Sequence, residues 1–350
     1  MINKFLSTLL FLAGFPCAVA VTAQSSGTYS YYLPKTAVRM ALLIEKTSYE
    51  PGQLANYSEL YMKTSARPNP ETSYRIVGVS FSTYAVPDSA KRFGLTIDRK
   101  HSVISLECDE NGVLQAINAK PQTLVKPQPF RSAPKAEPLS PTDYMSQDIL
   151  SAENKAKMAR LVAQEIYDIR DSRNQLARGE ADFMPKDGEQ LKIMLSQLSN
   201  QEAALLQVFQ GEETRDTTEA VVTFVPEAQT APRLLFRFSR HFGLTTADDL
   251  SGEPYFLQVE DLHVLPEPPL TPDDVKKIKD ESPIHINLPG KMRVSILNRN
   301  KPIATQELVA AQFGRVEPLN GALFGKKFTS RLVLNPTTGG VVSLQTEPLE

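Results

Sequence analysis

The sequence predicts an α+β fold: β-rich N- and C-terminal units flank a central antiparallel helical hairpin packed on sheet. Three observations carry this prediction. Residues 151–211 contain two amphipathic helical patterns with a short break between them, strand-like segments lie on both sides, and proline-rich segments separate the parts. Because each helix has only one apolar stripe, the pair needs a second apolar surface, and a sheet is the simplest one.

The length and composition are those of a globular protein with more than one domain. The chain has 350 residues, of which 41% are hydrophobic and 22% charged. Its formal net charge of −2 gives no general attraction to nucleic acid, so we predict no nucleic-acid partner. The predicted division is a signal peptide at 1–23, a β-rich domain at 24–120, a proline-rich linker at 121–147, the helical hairpin with strands at 148–265, a proline-rich connection at 266–282 and a β-rich domain at 283–350.

The N-terminus has the pattern of a secretion signal. Lys4 precedes an apolar run that ends at Phe15, and small residues follow up to Ala23. We predict cleavage after Ala23, with cleavage after Ala20 as the alternative, and export to the periplasm or the exterior. Cys17 raises the alternative of an outer-membrane lipoprotein, although the residues before it fit lipid attachment poorly. The mature chain has no apolar run long enough to span a bilayer as a transmembrane segment.

The first β-rich unit begins with an alternating strand at 29–48. A break at 50–52 and a short helix at 53–62 follow, and then strands at Arg75–Ala85, Phe93–Asp98, Val103–Cys108 and Val113–Ala119. Residues 109–112 are predicted to form a tight turn, because Asn-Gly readily supplies positive φ. After cleavage Cys108 is the one remaining cysteine, so no internal disulfide forms and we predict a small buried apolar side chain there.

The two central helices have recognisable ends. Ser151 is the predicted N-cap of the first helix and Gly179 its C-terminal stop. Asp187 is the predicted N-cap of the second helix, which ends at Gly211. The apolar stripes are Met158, Leu161, Val162, Ile166, Ile169 and Leu176 in the first helix, and Leu191, Met194, Leu195, Leu198, Leu205, Leu206 and Phe209 in the second.

The remaining segments are mostly strands, and the last ones resemble the first. The predicted strands are Glu219–Val225, Arg233–Ser239, Tyr255–Val264, Ile284–Leu288, Arg293–Asn298, Ala304–Ala310, Lys327–Leu334 and Val341–Gln345. Leu33-Pro34 and Leu288-Pro289 each precede an alternating strand, and the order of the following elements matches. This pattern indicates a diverged duplication of a β-unit, and chance similarity between β-segments is the alternative.

Two groups of residues are candidates for a site. His241, Asp248 and Asp249 share one loop, where a histidine with paired carboxylates can bind a cation or perform acid–base chemistry. The alternative is a loop in which Thr246 or Asp248 caps a turn and Asp249 stays solvated. Tyr29, Tyr31 and Tyr32 can stack on a sugar or a peptide, or anchor the first strand. The four histidines, His101, His241, His263 and His285, have no metal-ligand spacing, so we predict no metal site and no cofactor.

Four blocks of sequence carry a resemblance to a known family. They are YYLPKTA, IYDIRDSRNQLARGEADFMPKDGEQLK, ADDLSGEPYFL and AQFGRVEPL, and together they span nearly the whole mature chain. On these blocks the chain resembles DUF4831, an exported bacterial domain of unknown function. The resemblance implies export and a shared architecture, and it transfers no catalytic residues.

Two hypotheses for function follow from different classes of protein. The leading one is a non-enzymatic binding or assembly module of the bacterial cell envelope, with an envelope protein or a glycan as partner. The alternative is a hydrolase or carbohydrate-active enzyme that uses Asp248 and Asp249. The two differ in whether these carboxylates line a cleft.

Overall fold

The computed structural model describes residues 21–22 and 27–348, except 98–101, 125–126, 133, 135–138, 186, 228–230, 266–283 and 326. Several predicted features therefore lie outside the described residues: most of the signal peptide with Cys17, the cleavage sites Ala20 and Ala23, the new N-terminus Gln24, His101 and the whole connection at 266–282.

The described residues form three antiparallel sheets and four α-helices. The strands are β1 (Val21–Thr22), β2 (Gly27–Glu50), β3 (Glu71–Ile97), β4 (Ser105–Cys108), β5 (Leu114–Ile117), β6 (Glu212–Phe224), β7 (Arg233–Ser239), β8 (Gly243–Thr245), β9 (Glu253–Asp261), β10 (Ile284–Asn298), β11 (Lys301–Leu319), β12 (Phe328–Leu334) and β13 (Val341–Pro348). The helices are α1 (Ser58–Met62), α2 (Gln147–Leu150), α3 (Lys155–Arg178) and α4 (Gly188–Gln210). The sheet orders are β3-β2-β6, β11-β10-β9-β7-β8 and β1-β4-β5-β12-β13.

Two long hairpins, β2–β3 and β10–β11, replace several of the shorter strands predicted from the sequence. The predicted strand at 75–85 and residues 93–97 of the next one belong to the single strand β3, and the predicted strands at 284–288 and 293–298 belong to β10. In each hairpin the Leu-Pro step shifts the register of the ladder without ending the strand, between Tyr32 and Pro34 and between Leu288 and Gly290. Proline is tolerated at such bulges because no ladder hydrogen bond is lost there.

Each long hairpin contributes to two separate hydrophobic cores. The first core is a sandwich of the sheets β3-β2-β6 and β11-β10-β9-β7-β8, with buried residues such as Met40, Val294 and Leu257. The second core lies against the sheet β1-β4-β5-β12-β13 and includes Tyr31 and Ile286 from the opposite ends of the same hairpins. Strands from the two ends of the chain share this sheet through β5 and β12. The β-rich units predicted at the two ends are therefore joined, not separate.

A buried polar cluster joins the two hairpins where they bend. We define this polar junction as Thr36, Asn287, Gln312 and the turn 335–340. The amide of Thr36 donates to Gln312 Oε1 at 3.0 Å, and Gln312 Nε2 donates back to the Thr36 carbonyl at 2.9 Å. The Thr36 hydroxyl accepts from the Ala311 amide at 3.0 Å and lies 3.3 Å from the Thr337 carbonyl. These bonds tie β2 to β11 and to the turn.

Asn287 performs the same role for β10. Its side-chain amide donates to the carbonyls of Pro34 at 3.0 Å and Thr338 at 2.9 Å, and the side chain is fully buried. The backbone amide of Asn287 donates to the carbonyl of Gly339, a residue with φ +69°. The Asn287 bonds place Pro34 beside the turn, and Gly340 of the turn approaches Pro289 closely. The prolines of both Leu-Pro steps therefore lie against one turn.

The helical pair is present, and its capping is partly as predicted. Asn154, not Ser151, is the N-cap of α3: its side chain accepts from the Lys157 amide at 2.9 Å. Ser151 instead follows the short helix α2, which the sequence did not predict. Gly179 with φ +74° ends α3, and the Asp187 side chain caps α4, both as predicted.

The prediction that this pair packs on a sheet is wrong. Its apolar stripes are buried against each other and against the connections 54–62 and 144–149, with Leu54, Met62 and Ile149 as the main partners. Among the described residues this cluster contains no strand residue. The helices meet the sheets where β2 ends and β6 begins, and there the Tyr49 hydroxyl lies 2.7 Å from the Gln210 carbonyl. The segments around the pair thus supply the second apolar surface that a sheet was expected to supply.

A buried ion pair fixes the register of the two helices. Glu202 on α4 accepts from Arg170 at 2.6 Å and from Arg173 at 2.5 Å, both on α3. Its side chain is nearly buried, and two charge-assisted bonds offset the cost of removing it from water.

The two ends of the chain also share an order of elements in the structure. β2–β3 is a long hairpin followed by the short hairpin β4–β5, and β10–β11 is a long hairpin followed by β12–β13. The Leu-Pro step occupies the register shift in both long hairpins. This correspondence supports the interpretation of a diverged duplication.

The bend in β10–β11 predicts a strict requirement for glycine. A Cβ at Gly290 would lie 1.8 Å from the Phe313 carbonyl oxygen, so Gly290→Ala should lower the free energy of unfolding by roughly 2–4 kcal/mol. Urea unfolding followed by circular dichroism measures this. Gly188→Ala is the matched control, because a Cβ there meets nothing within 4 Å and its stability should be unchanged or slightly higher. Equal unfolding midpoints for Gly290→Ala and the wild type would contradict the described bend.

Candidate functional site

A cleft of about 620 Å³ opens at one end of the sandwich, between the edge of β3 and the sheet that contains β7 and β9. Its floor is apolar: the Tyr255 ring stacks on Phe236 at 4.8 Å and meets Phe238 edge-on at 6.3 Å. Val77 and Ile303, both exposed, extend the apolar surface at the sides. An apolar floor of this size with a polar rim is typical of a binding site.

One wall of the cleft is the backbone of an edge strand. β3 is the outer strand of its sheet, and residues 74–79 line the cleft. The Tyr74 amide points away from β2, since it donates to the Arg240 carbonyl at 2.7 Å. Backbone groups alternate in direction along an antiparallel strand, and Tyr74 to Ile76 pair in register with β2, so the Ile76 amide also points into the cleft. A register shift at Val77 interrupts this alternation. The wall therefore offers backbone hydrogen bonds to a bound chain.

The rim of the cleft carries both signs of charge. Arg240 is exposed and lies 3.8 Å from Glu71, while Arg75 pairs with Glu45 at 2.7 Å. The hydrogen bond from Arg75 lowers the pKa of Glu45. Glu253 pairs with Arg299 on the far side. These exposed ion pairs contribute little to stability and are free to exchange partners with a ligand.

The structure separates the histidine of the predicted loop site from its carboxylates. His241 lines the cleft, but Asp248 and Asp249 are exposed and are not among its lining residues. The Asp249 carboxylate accepts from the Ser251 amide at 2.9 Å, and hydrogen bonds from Ser251 lower its pKa. A local turn, which the sequence offered as the alternative, is thus present, but the side chain that holds it is Asp249 and not Thr246 or Asp248.

Arg237 explains where this loop lies. The phenylalanines on either side of it along β7 face the sandwich core, so Arg237 faces outward. Its guanidinium donates to the carbonyls of Ala247 at 2.8 Å and Gly252 at 3.0 Å. The loop is held across the outer side of β7, which keeps its acidic tip out of the cleft.

The three tyrosines of the N-terminal strand lie in different surroundings. Tyr31 is fully buried; its hydroxyl accepts from the His285 amide at 2.8 Å, and burial raises its pKa to about 12. Tyr29 packs against the same core. Tyr32 is half-buried on the other face of the strand, with the Arg92 guanidinium 5.8 Å from its ring centroid. Tyr29 and Tyr31 therefore anchor the strand, and only Tyr32 presents a ring toward the surface.

The other predicted residues of chemical interest lie apart from the cleft. His285 stacks on Phe93 at 4.0 Å, and burial lowers its pKa. His263 is exposed beside Asp261 at 3.2 Å. Cys108 is half-buried against the second core, and burial raises its pKa to about 11, so its thiol is a poor nucleophile at neutral pH. Within the described residues, no three His, Cys, Asp or Glu side chains converge as a metal-binding group.

Sequence reasoning missed most of the cleft. Tyr74, Arg240 and Tyr255 come from three strands or turns that are far apart in sequence, and none belongs to a recognisable motif. The alternation of side chains along β3 predicts the strand that forms the wall of the cleft. The sequence does not indicate that this strand lies at the edge of its sheet.

These features define an α+β domain with two β-lobes, a helical hairpin and an open cleft at the end of its sandwich. The chain belongs to the family described as Domain of unknown function (DUF4831), whose sequence profile matches residues 27–342. The resemblance noted from the four sequence blocks is confirmed. No curated protein and no solved structure matches the chain.

None of the helices in the described ranges combines the length and the apolar character that crossing a bilayer requires.

Proposed function

We propose that this chain is an exported, non-enzymatic binding module of the bacterial cell envelope that holds an extended polypeptide segment against β3. One observation carries the proposal: an edge strand with outward-pointing backbone groups forms the wall of a cleft that has an aromatic floor. An added strand gains main-chain hydrogen bonds from the edge, and its alternate side chains enter the adjoining pocket.

The geometry favours a polypeptide over a compact ligand. The lining residues 74–79 form a continuous stretch of one strand, about 20 Å long at the usual rise per residue, so a ligand that uses the whole wall is elongated. Tyr255 and Phe238 lie below this wall and suit an apolar side chain. Arg240 and His241 stand at one end, where a carboxylate on the ligand would find donors.

Placement in the envelope rests on the N-terminal sequence. Lys4, the apolar run after it and the small residues up to Ala23 have the pattern of a cleaved signal, and the family resemblance implies export. An exported partner with an accessible extended segment fits both the compartment and the cleft.

The rival hypothesis of a hydrolase or carbohydrate-active enzyme relied on Asp248 and Asp249. Arg237 holds their loop across the outer side of β7, and Asp249 is engaged by Ser251. No observation in the cleft favours acid–base chemistry by this pair, so the binding hypothesis is the better supported one.

Strand addition to β3 predicts a specific effect of proline at position 76. Linear peptides selected from a random library for binding to the purified protein should lose at least about tenfold in affinity with Ile76→Pro, because proline removes an amide that points into the cleft. Ile76→Val is the matched control and should bind like the wild type. Isothermal titration calorimetry gives the affinities, and amide exchange at residue 76 reports the contact.

Two outcomes would contradict this proposal. One is that selected peptides bind Ile76→Pro as tightly as the wild type, with circular dichroism showing that the variant is folded. The other is turnover of a glycoside or ester substrate by the wild type that is lost in Asp249→Asn, which would favour the enzyme hypothesis.

Export predicts a processed N-terminus. Mass spectrometry of the protein recovered from a periplasmic fraction should give a chain that begins at Gln24, since the small residues before it match signal-peptidase specificity. An acylated Cys17 would instead identify a lipoprotein. An intact Met1 on protein confined to the cytosol would contradict the envelope placement.

A further inference from the structure

The C-terminal strand β13 is an exposed edge on a different sheet from the cleft. It is the outermost strand of the sheet β1-β4-β5-β12-β13 and pairs with β12 from Val341 to Pro348. Three of its apolar side chains are well exposed: Val341 by 42%, Val342 by 51% and Leu344 by 37%. Apolar side chains on an exposed edge mark a site of association.

The ladder shows which backbone groups of β13 point outward. Phe328 on β12 stands opposite Pro348, yet its amide donates to the Gly325 carbonyl. The Ser330 carbonyl likewise accepts from Asn118, on the β5 side of the strand. Phe328 and Ser330 therefore direct their backbone groups away from β13. In an antiparallel ladder the opposite residues do the same, so Thr346 directs its N–H and C=O to the open edge.

The alternation extends this to Leu344. It stands opposite Leu332, which has the same parity as Ser330 and pairs on its other side with Ile117 of β5. Leu344 and Thr346 thus present their amides and carbonyls to the open side. The amide and carbonyl of Gln345, which lies between them, point toward β12.

The core-facing side of this edge is also uncovered. Leu332 is fully buried in the second core, and cross-strand partners share a face, so the Leu344 side chain lies on the core side. An apolar groove of about 270 Å³ opens there, lined by Asn320, Leu323, Phe328 and Thr346. Within the part of the chain that the structure describes, the sheet therefore ends in a strand that lacks both a backbone partner on its outer side and a complete apolar cover.

The centre of the strand lacks the usual protection of an edge. Natural edge strands are blunted by lysine, proline, bulges or inward charges. In β13 these devices stand only toward the ends, because a register shift leaves Val342 opposite no residue of β12 and Pro348 is the last residue of the strand. From Val342 to Thr346 the residues are Val, Ser, Leu, Gln and Thr, and none of them is charged or proline. Glu347 follows, and Arg331 of the same chain lies 3.8 Å from it. The centre of β13 is thus an open pairing surface.

We propose that β13 pairs antiparallel with β13 of a second copy of this chain, centred on Gln345. Leu344 of each copy then stands opposite Thr346 of the other, and these residues exchange about four backbone hydrogen bonds. Leu344 of both copies then covers the apolar groove.

Charge selects this partner and this direction. Parallel pairing would place the two Glu347 carboxylates side by side, whereas antiparallel pairing puts them at opposite ends of the joint, each next to its own Arg331. The formal net charge of −2 adds little repulsion between copies. The interface is small, so the dimer is weak and dependent on concentration.

Proline at position 346 tests the pairing. The Thr346 amide points to the open edge, so Thr346→Pro removes bonds between copies while leaving the ladder with β12 intact. Sedimentation equilibrium of the purified protein from about 1 to about 300 µM should show the wild type passing from one chain mass to two, and Thr346→Pro staying at one. Thr346→Val keeps the amide and should dimerise like the wild type.

Amide exchange locates the joint. The amides of Leu344 and Thr346 should gain protection as concentration rises, and that of Gln345 should be protected throughout by β12. If circular dichroism shows that Thr346→Pro does not fold, Leu344→Lys is the second variant: a lysine on this edge should also hold the protein at one chain mass.

A wild type that stays at one chain mass up to the highest concentration overturns this inference. A dimer that persists in folded Thr346→Pro or Leu344→Lys also overturns it. Neither result bears on the cleft at β3, which belongs to a different sheet.

Discussion

The structure depends on the buried hydrogen bonds of the polar junction, because they hold the two long hairpins together at their bends. Thr36 and Gln312 exchange two hydrogen bonds, and Asn287 ties β10 to β2 and to the turn 335–340. Thr36 and Asn287 are fully buried, and buried donors are costly unless paired, so the bonds of the Thr36 hydroxyl and of the Asn287 side-chain amide favour one relative placement of the hairpins. The bonds of Thr36 with Gln312 and of Asn287 with Pro34 join residues more than 250 positions apart, so neither β-lobe is complete until the two ends of the chain meet.

The same constraint positions both proposed binding surfaces. On one side of the bends the hairpins enter the sandwich, where β3 stays at an edge and faces the cleft. On the other side they cover the second core, whose sheet ends at β13. The helical hairpin stands apart from both surfaces, since its stripes are covered by its own flanking segments. It is joined to the sheets through the ends of β2 and β6, near Tyr49.

The sequence predicted features that depend on local chemistry. The structure contains the two helices with their apolar stripes, the stop at Gly179, the cap at Asp187 and the turn at 109–112. Each of these features depends on residues within a few positions of one another. Ser151 was assigned as the N-cap because serine suits that position, but Asn154 lies closer to the helix and its side chain caps it instead. Leu288-Pro289 was placed between two predicted strands, whereas β10 is continuous there. The register shift that accommodates the proline depends on the partner strand.

The features that the sequence did not predict depend on distant pairings. Neither the polar junction nor the cleft involves a motif, because Thr36, Gln312 and Asn287 are ordinary strand residues until the fold brings them together. The loop with Asp248 and Asp249 was the best local candidate, and Arg237 directs it away from the cleft. The sequence anticipated a local turn in this loop as the alternative, but it assigned the cap to Thr246 or Asp248, and the structure gives that role to Asp249.

Native-state hydrogen exchange under increasing urea tests most directly whether the polar junction makes the two lobes one cooperative unit. The slowest amides of β2 and β10 on both sides of the Leu-Pro steps should converge on one free energy of opening, because neither lobe persists without the other. Two well-separated free energies, one for each side of the bends, would contradict the account.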